Sequence, residues 1–459
     1  MKINIKQTVT HMKSYKNKIF ELIFFLIMGS SLQAQSLLQK NDLMKIETYF
    51  ESRLANAATE DSLVPASIKT KIKAAEISAL QQEIWTVWHS VNSRHETLPK
   101  PTQAARGLQD YNLHQWELVN ENPLPYYYIQ KGEIGNTKLP LFLNLHGSGP
   151  KEMELKATLA WSLRYRDSPS RYFIPQIPNE RRYRWWLKPA QLAWERLLRL
   201  AMLDPQIDPN ALYVLGISEG GYGSQRLASF YADYFAGAGP MAGGEPLKNA
   251  PPVNFRHLAF SFQTGANDTG FGRNRLTLAA KSALDSLERV FPGDFIHNIV
   301  LQEGRGHGID YTVTSPWLIQ YKRKPNPAQL SWVWFPMDGR YRKGFYNIAI
   351  EQSPLPIKDN PQFDRVRFDI DMDRATNTIT IQSNVLNTDM TQQTPLKKGK
   401  ILIFLNSDLI DLSKKVTIIY NDKNMGQQKI VPAISALVES VALFADPERI
   451  YPAKIQLAL

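Results

Sequence analysis

The chain has 459 residues, of which 43% are apolar and 21% charged, which indicates a globular protein with two or three folding units. It contains no cysteine, so disulfides and thiolate metal sites are excluded. The formal net charge of +11 would suit anionic substrates, but we interpret it as a solvated basic face because no nucleic-acid-binding module accompanies it.

Residues 1–34 are typical of a secretory signal peptide. Lysines precede the apolar run IFELIFFLIM (19–28), and the small residues of GSSLQAQ (29–35) follow it, with Ala34 as the expected cleavage position. The run is short for a membrane span, although an uncleaved anchor is the alternative. Cleavage removes five lysines and one glutamate and lowers the formal charge to +7. We predict a periplasmic or extracellular protein with no stable membrane span after cleavage.

Residues 35–125 are predicted to form an N-terminal helical segment. Apolar residues recur at three- and four-residue spacings in LLQKNDLMKIETYFESRL and in AAEISALQQEIWTVWHSV. Such a segment either caps a catalytic site or braces the main domain. We favour the brace because nothing in the segment is chemically distinctive.

Residues 126–328 are predicted to form an α/β domain. Short β-forming runs alternate with helix-length segments, which indicates a mostly parallel sheet covered by helices on both faces. The predicted strands are YYYIQ (126–130), LPLFLNL (139–145), YFIPQI (172–177), ALYVLGI (211–217), FAGAGPM (235–241), HLAFSFQTG (257–265) and FIHNIVLQEG (295–304). The predicted helices are AQLAWERLLRLAML (190–203), SEGGYGSQRLASFYADY (218–234) and RLTLAAKSALDSLERV (275–290).

Residues 329–459 are predicted to form a C-terminal antiparallel β-domain resembling a sandwich. Runs such as RVRFDIDMD (365–373) and KVTIIYND (415–422) alternate with turn residues, and the one strong helical pattern is PAISALVESVALF (432–444). The acidic run DIDMD is no calcium loop, because Arg374 and Thr380 stand where an EF-hand needs glycine and glutamate.

The stretch YVLGISEGGYGS (213–224) contains the pattern G-x-S-x-G around Ser218. The pattern alone arises by chance in about one chain in ten of this length. Its setting is more informative, because a predicted strand runs into the serine and a helix leaves it. Strand and helix backbones crowd at such a turn, which explains the small residues Gly216 and Gly220. We predict that Ser218 is a nucleophile.

A serine nucleophile needs a histidine to remove its proton and a carboxylate to orient the histidine. In this architecture the chain order is serine, acid, histidine, each after a strand. Asp268 and His307 follow two later predicted strands and are the predicted acid and base. An ordinary turn aspartate is the alternative for Asp268. The less well placed candidates are His257, His297, Asp233, Glu245, Asp285 and Asp310.

The loop HGSG (146–149) follows a predicted strand and has the small residues that let backbone N–H groups turn toward Ser218. We predict an oxyanion hole with one N–H from Gly147 or Ser148 and another from Glu219. A plain turn is the alternative. His146 is expected to brace the loop, and the Glu219 carboxylate has no predicted role.

Together, HGSG, GISEGG, Asp268 and His307 resemble the α/β-hydrolase superfamily. The arrangement is most similar to secreted bacterial serine esterases and to the catalytic domains of prolyl-oligopeptidase-like enzymes, over about residues 126–325. The resemblance implies the triad of Ser218, Asp268 and His307. HGSG differs from the HGGG of many lipases, which leaves the choice of oxyanion donor open.

The stretch RRYRWWLKP (181–189) follows a predicted strand near the ligand-bearing edge of the sheet. Arg184, Trp185 and Trp186 are the predicted substrate-binding residues, with a surface loop as the alternative. There is no H-E-x-x-H motif and no metal-ligand spacing, so neither a metal nor a cofactor is predicted.

These observations predict a secreted serine hydrolase of carboxylic esters that works through an acyl-enzyme, with a small-molecule or glycan ester as substrate. Acyl groups on polysaccharides are one such class. A serine peptidase of the prolyl-oligopeptidase-like type is an alternative, although residues 36–120 are too few and too helical for a propeller. An inactive carbohydrate-binding protein on the same fold is another. No nucleic-acid partner is predicted, and the sequence does not indicate an oligomeric state.

Overall fold

The computed structural model describes residues 36–55, 68, 71–103, 107–181, 184–355 and 360–459. The predicted signal peptide lies outside these residues. The described residues from 41 to 459 form one compact unit. The predicted domain boundaries at residues 125 and 328 stay predictions.

An eight-stranded sheet occupies the middle of the chain, in the order β1-β2-β4-β3-β5-β6-β7-β8. The pairs β1–β2 and β2–β4 are antiparallel, and every later neighbour in the order is parallel. The mostly parallel sheet is therefore confirmed. Its strands are β1 Leu113–Trp116, β2 Leu124–Lys131, β3 Leu139–Leu145, β4 Ser170–Pro175, β5 Ile207–Ile217, β6 Gly237–Met241, β7 Ala259–Gly265 and β8 His297–Gln302.

Both faces of this sheet are buried, and successive side chains of one strand belong to different cores. Leu141 and Leu143 of β3 lie in one apolar cluster, whereas Phe142 lies in the other. This burial on both sides explains why the strands read as continuous apolar runs. The α-helices are α1 Lys40–Ala55, α2 Ile77–His95, α3 Lys151–Arg164, α4 Lys188–Leu203, α5 Glu219–Phe230, α6 Arg273–Val290, α7 Thr314–Leu318 and α8 Ile434–Phe444.

The C-terminal segment forms two further sheets, ordered β10-β11-β15-β18 and β17-β16-β13-β12-β9. Their pairs are antiparallel apart from β13–β16, which is parallel because β15, between them in sequence, joins the other sheet. The fold class is thus confirmed with this one difference. The strands are β9 Gln329–Trp334, β10 Gly344–Phe345, β11 Ile348–Gln352, β12 Arg365–Asp373, β13 Thr378–Leu386, β14 Gln393–Pro395, β15 Lys400–Leu405, β16 Lys415–Tyr420, β17 Lys423–Lys429 and β18 Ala453–Ala458.

Buried charges connect the α/β part to the C-terminal segment. Arg449 donates to Asp233, just after α5, at 2.6 Å and to Asp446 at 2.6 Å, and all three side chains are fully buried. Arg342 and Arg323 complete the cluster at 2.5 Å from Asp233 and Asp446. Burial alone would raise the pKa of Asp446, but Arg323 and Arg449 outweigh it and lower this pKa to about 2.

The N-terminal helices contact the outside of the α/β part and the C-terminal segment. Glu96, at the end of α2, pairs with Arg196 of α4, and Gln81 of α2 donates to the carbonyl of Ile450 at 2.6 Å. The brace interpretation of this segment stays a prediction.

Candidate active site

Ser218 lies at the turn between β5 and α5. Its backbone has φ 57° and ψ −113°, and its N–H donates to the Met241 carbonyl of the neighbouring strand β6 at 2.9 Å. A positive φ at a residue with a Cβ costs about 1–3 kcal/mol and is typical of functional sites, where the surrounding structure holds it. The turn raises the serine above the carboxyl end of the sheet.

Gly216 and Gly220, on either side of Ser218, are needed because other backbone segments approach them closely. A Cβ on Gly220 would lie 2.1 Å from the Leu145 carbonyl oxygen at the end of β3, and a Cβ on Gly216 would lie 2.4 Å from the Gly220 carbonyl oxygen. The crowding inferred from the sequence is therefore present, and α5 can begin directly over the sheet because neither position carries a side chain.

The structure brings Ser218, His307 and Asp268 together in one chain of hydrogen bonds. The Ser218 Oγ lies 3.1 Å from His307 Nε2, and His307 Nδ1 lies 2.8 Å from Asp268 Oδ2. The acid is buried and the imidazole is about half exposed. With Nδ1 protonated and donating to the carboxylate, Nε2 is free to accept the serine proton.

The loops after β7 and β8 hold the acid and the histidine at this distance. Asn267 N–H donates to the Arg305 carbonyl at 2.8 Å, which joins the two loops one or two residues from Asp268 and His307. Both loops leave the same edge of the sheet because parallel strands end there together.

Arg273 is a contact of the acid that the sequence analysis missed. Its Nη1 donates to Asp268 Oδ1 at 3.0 Å, so the two carboxylate oxygens bind different partners. The guanidinium also lies over the rings of Tyr222 and Phe271. Arg273 begins α6, five residues after Asp268. That position follows no known motif, so no sequence signal pointed to it.

Gly147 of the HGSG loop lies against the serine. A Cβ on Gly147 would be 3.4 Å from Ser218 Cβ and 3.1 Å from the carboxylate of Glu154 on α3. Burial raises the pKa of Glu154, and the Gly147 backbone partly offsets the increase. The choice between the Gly147 and Ser148 N–H groups as oxyanion donor stays a prediction. Ser148 is exposed, and Glu219 begins α5, where N–H groups lack partners within the helix.

His146 is buried beneath the loop and braces it, as expected. Its Nδ1 lies 2.6 Å from the Gly147 carbonyl, and its Nε2 accepts the Ile177 N–H at 2.9 Å. The two contacts require a neutral ring with the proton on Nδ1. Burial lowers the pKa of His146 to about 4, although the hydrogen bond to Gly147 opposes this shift.

The placement of these groups identifies the architecture. The serine turn follows β5, the acid loop follows β7 and the histidine loop follows β8, on a sheet whose second strand is antiparallel. The chain has the α/β-hydrolase fold. The fold inferred from HGSG, GISEGG, Asp268 and His307 is thus confirmed.

No protein-family model matches this chain, and no curated protein matches it. Among solved structures, a thermostable esterase is 18% identical with a TM-score of 0.36, over 47% of this chain and 64% of that one. Esterase 2 of Thermogutta terrifontis is 10% identical with a TM-score of 0.37, over 47% and 92%. An acylaminoacyl peptidase of Pyrococcus horikoshii is 16% identical with a TM-score of 0.32, over 46% and 40%. The match spans less than two thirds of the first and third proteins.

Trp185, one of the predicted substrate-binding residues, has a buried side chain. Its side chain is only 1% exposed, and its indole N–H donates to the His146 carbonyl at 3.2 Å. A Cβ on Gly223 of α5 would lie 2.7 Å from the Trp185 ring, so the helix covers the indole. Trp185 therefore supports the HGSG loop through His146.

Arg184 and Trp186 lie beside α5. Arg184 is half exposed, with Nη1 3.5 Å from the Glu219 carboxylate, and the Arg226 guanidinium lies 3.8 Å from the centre of the Trp186 ring. Burial raises the pKa of Glu219, and Arg184 partly offsets the rise. The Glu219 carboxylate thus has a partner at the margin of the serine turn.

The other acid and histidine candidates have partners elsewhere. His297 bonds to Asp285 at 2.9 Å, and His257 bonds to the Gln329 carbonyl at 2.6 Å. Asp233 belongs to the buried charge cluster. Glu245 pairs with Arg226, and Asp310 accepts from Thr312.

Within the part of the chain that the structure describes, no group of three or more acidic or histidine side chains is arranged to hold a metal ion. No described helix is long and apolar enough to cross a membrane.

Proposed function

We propose that this protein is a secreted serine hydrolase that cleaves carboxylic esters through an acyl-enzyme. The observation that carries the proposal is the hydrogen-bond chain from Ser218 Oγ to His307 Nε2 at 3.1 Å and from His307 Nδ1 to Asp268 at 2.8 Å. These distances suit general-base activation of a serine. The predicted signal peptide supports export.

In the proposed reaction, Ser218 Oγ attacks the ester carbonyl while His307 Nε2 takes the hydroxyl proton. The imidazolium that forms is stabilised by the carboxylate of Asp268, which is buried beside Arg273. His307 then donates the proton to the departing alkoxide, which leaves as an alcohol. Water attacks the acyl-serine by the same route and releases the carboxylic acid.

The tetrahedral intermediate carries a negative oxygen that needs hydrogen-bond donors. We assign these to the backbone N–H of Gly147 or Ser148 and to that of Glu219, which begins α5. The absence of a side chain at Gly147 also allows the loop to lie against Ser218. Each donor of this kind contributes about 3–4 kcal/mol to transition-state stabilisation.

As substrates we propose small-molecule or glycan esters, including acyl groups on polysaccharides. Arg184 and Trp186 beside the serine turn supply a charge and an aromatic surface that a sugar ring could contact.

The proposal is tested by comparing hydrolysis of p-nitrophenyl acetate, acetylated and feruloylated glycans and proline-containing peptides. We expect the esters to be cleaved and the peptides to be poor substrates. Ser218→Ala is expected to abolish turnover, and Asp268→Asn to lower kcat by about 10⁴-fold because its amide favours the wrong imidazole tautomer. Cleavage of the peptides alone would favour the peptidase alternative. A folded wild type that cleaves none of these compounds would favour the inactive binding protein.

A further inference from the structure

A cavity of about 440 Å³ lies between the N-terminal helices, α4 and the C-terminal segment. Its walls come from the end of α1, from α2, from the residues after β1, from α4, and from the chain before β10 and at the end of α8. Small-molecule sites usually have volumes of roughly 300–1,000 Å³. None of the described lining residues belongs to the triad, to the HGSG loop or to the loops after β7 and β8. The cavity is therefore separate from the candidate active site.

Cations outnumber carboxylates around this cavity. The charged residues of the described lining are Arg53, Arg196, Arg199, Arg340, Arg342 and Lys343, with Glu117 and Glu195. Two acids outside the lining add to the negative charge, because Glu96 pairs with Arg196 and Arg199, and Asp233 pairs with Arg342. Four carboxylates thus stand against six cations, and an excess of one sign of charge along a cleft attracts ligands of the other sign.

The excess charge is clearest at Arg196 and Arg199, which lie one turn apart on α4 and share a single carboxylate. Glu96 accepts from Arg196 Nε at 2.8 and 2.9 Å, but it lies 3.8 Å from Arg199 Nη2. The other contact of Arg199 is neutral, since Nη1 donates to the side-chain oxygen of Asn92. Burial lowers the pKa of Arg199, and the charge of Glu96 only partly offsets this decrease. An anion in the cavity would complete the charge compensation of Arg199.

The rest of the described lining is mostly apolar. Trp88 of α2 and Tyr234 are buried, and Leu192 of α4 and Leu443 of α8 are partly buried. An inorganic anion would leave these walls without a contact. A guanidinium binds a carboxylate through paired N–H donors. The lining therefore suits a ligand that combines a carboxylate with an apolar body.

We propose that this cavity binds a small amphipathic carboxylate, whose charge contacts the arginines of the lining, Arg199 among them, and whose apolar body lies against Trp88, Leu192 and Leu443. The site is additional to the proposed ester hydrolysis and does not depend on it. A ligand bound there would contact the N-terminal helices, α4 and the C-terminal segment together.

The test is isothermal titration calorimetry of the purified protein with octanoate, octan-1-ol and sulfate. We expect octanoate to bind at one site per chain, with a Kd at least about tenfold lower than that of octan-1-ol or sulfate, because it alone has both an anionic group and an apolar body. Equal affinity for octan-1-ol would indicate an apolar cavity, and equal affinity for sulfate a site for inorganic anions. Either result, or no binding of octanoate, would overturn the proposal.

Two substitutions test whether octanoate binds in this cavity. Arg199→Gln removes one cation while Glu96 keeps Arg196 as its partner. Leu192→Glu adds a carboxylate to the wall on α4, where glutamate is a good helix former. We expect each substitution to raise the Kd of octanoate at least about tenfold. Arg289→Gln, at an exposed position in the last turn of α6, is the matched control and is expected to bind octanoate as wild type does.

Wild-type affinity in either cavity variant that folds, as judged by circular dichroism, would overturn the proposed site. An equal loss of affinity in Arg289→Gln would also overturn it, because the effect would then reflect net charge alone. Calorimetry does not require turnover. A protein that binds octanoate but hydrolyses no ester would therefore contradict the proposed function and leave this inference intact.

Discussion

At the scale of single residues, the candidate site is a chain of hydrogen bonds between side chains. Asp268 divides its two oxygens between His307 and Arg273, and His307 presents Nε2 to Ser218. A second chain of hydrogen bonds runs from the Ile177 N–H through the His146 ring to the Gly147 carbonyl. The first chain of hydrogen bonds transfers protons in the proposed reaction, and the second fixes the HGSG loop beside Ser218.

The buried, hydrogen-bonded His146 predicts that the free energy of unfolding falls in mild acid. The pKa of His146 is about 4 in the folded protein and about 6.5 when unfolded, so the folded state favours the neutral ring. This contribution is complete above pH 6.5 and is lost as the pH falls toward 4. Between pH 7 and pH 5 we expect a loss of about 2 kcal/mol in the free energy of unfolding.

Urea unfolding of wild type and His146→Gln at the two pH values measures this loss. Glutamine can donate and accept but does not titrate, so the variant is expected to be less stable at pH 7 and to lose less stability on acidification. An equal loss in both proteins would assign the acid sensitivity to another group.

At the scale of elements, the junction of β5 and α5 depends on backbone contact. The Leu145 carbonyl of β3 leaves no room for a side chain at Gly220. We expect Gly220→Ala to destabilise the protein by about 3 kcal/mol or more, because the clash is with backbone and cannot be relieved by a rotamer change.

Thermal unfolding compares Gly220→Ala with Gly135→Ala. A Cβ at Gly135, in the loop between β2 and β3, would meet nothing within 4 Å, so this control is expected to unfold at the wild-type temperature. Similar melting temperatures for both variants would contradict the account of the serine turn.

The sequence predicted the elements that carry the site better than their surroundings. The strand LPLFLNL coincides with β3. Order along the chain located Asp268 and His307 because parallel strands bring their carboxyl ends to one edge. β1 was missed, since only Trp116 of its four residues is buried and no alternation marks it.

Local sequence patterns do not predict where the side chains of Trp185 and Arg273 lie. Trp185 was predicted to bind substrate because RRYRWWLKP follows a strand near the ligand-bearing edge of the sheet, yet α5 covers its side chain. Arg273 meets Asp268 only because the loop GFG folds back on itself between them. Both depend on tertiary contacts that spacing does not encode.

At the scale of the whole molecule, the apolar core is continuous between the α/β part and the C-terminal sheets. Val214 of β5, Phe368 of β12 and Ile403 of β15 belong to one cluster of buried side chains. The cluster of Asp233, Asp446 and their arginine partners lies across the same junction. We therefore expect residues 41–459 to unfold in one cooperative transition.

Arg449→Met tests this coupling. The substitution leaves the buried carboxylates of Asp233 and Asp446 with one cation fewer. We therefore expect the free energy of unfolding to fall by about 3–5 kcal/mol. Lys248→Met is the matched control, since Lys248 and Asp389 form an exposed pair, and such pairs contribute about 1 kcal/mol or less. Denaturant unfolding measures both. Two separate transitions in wild type, or equal effects of the two substitutions, would contradict the expected coupling.

The most direct test of the central claim, that Ser218 is an activated nucleophile, is labelling with a fluorophosphonate followed by peptide mass spectrometry. We predict stoichiometric labelling of wild type on the peptide that contains Ser218, strongly slowed labelling of His307→Ala, and none of Ser218→Ala. A folded wild type that is not labelled, or one labelled at another residue, would contradict the account.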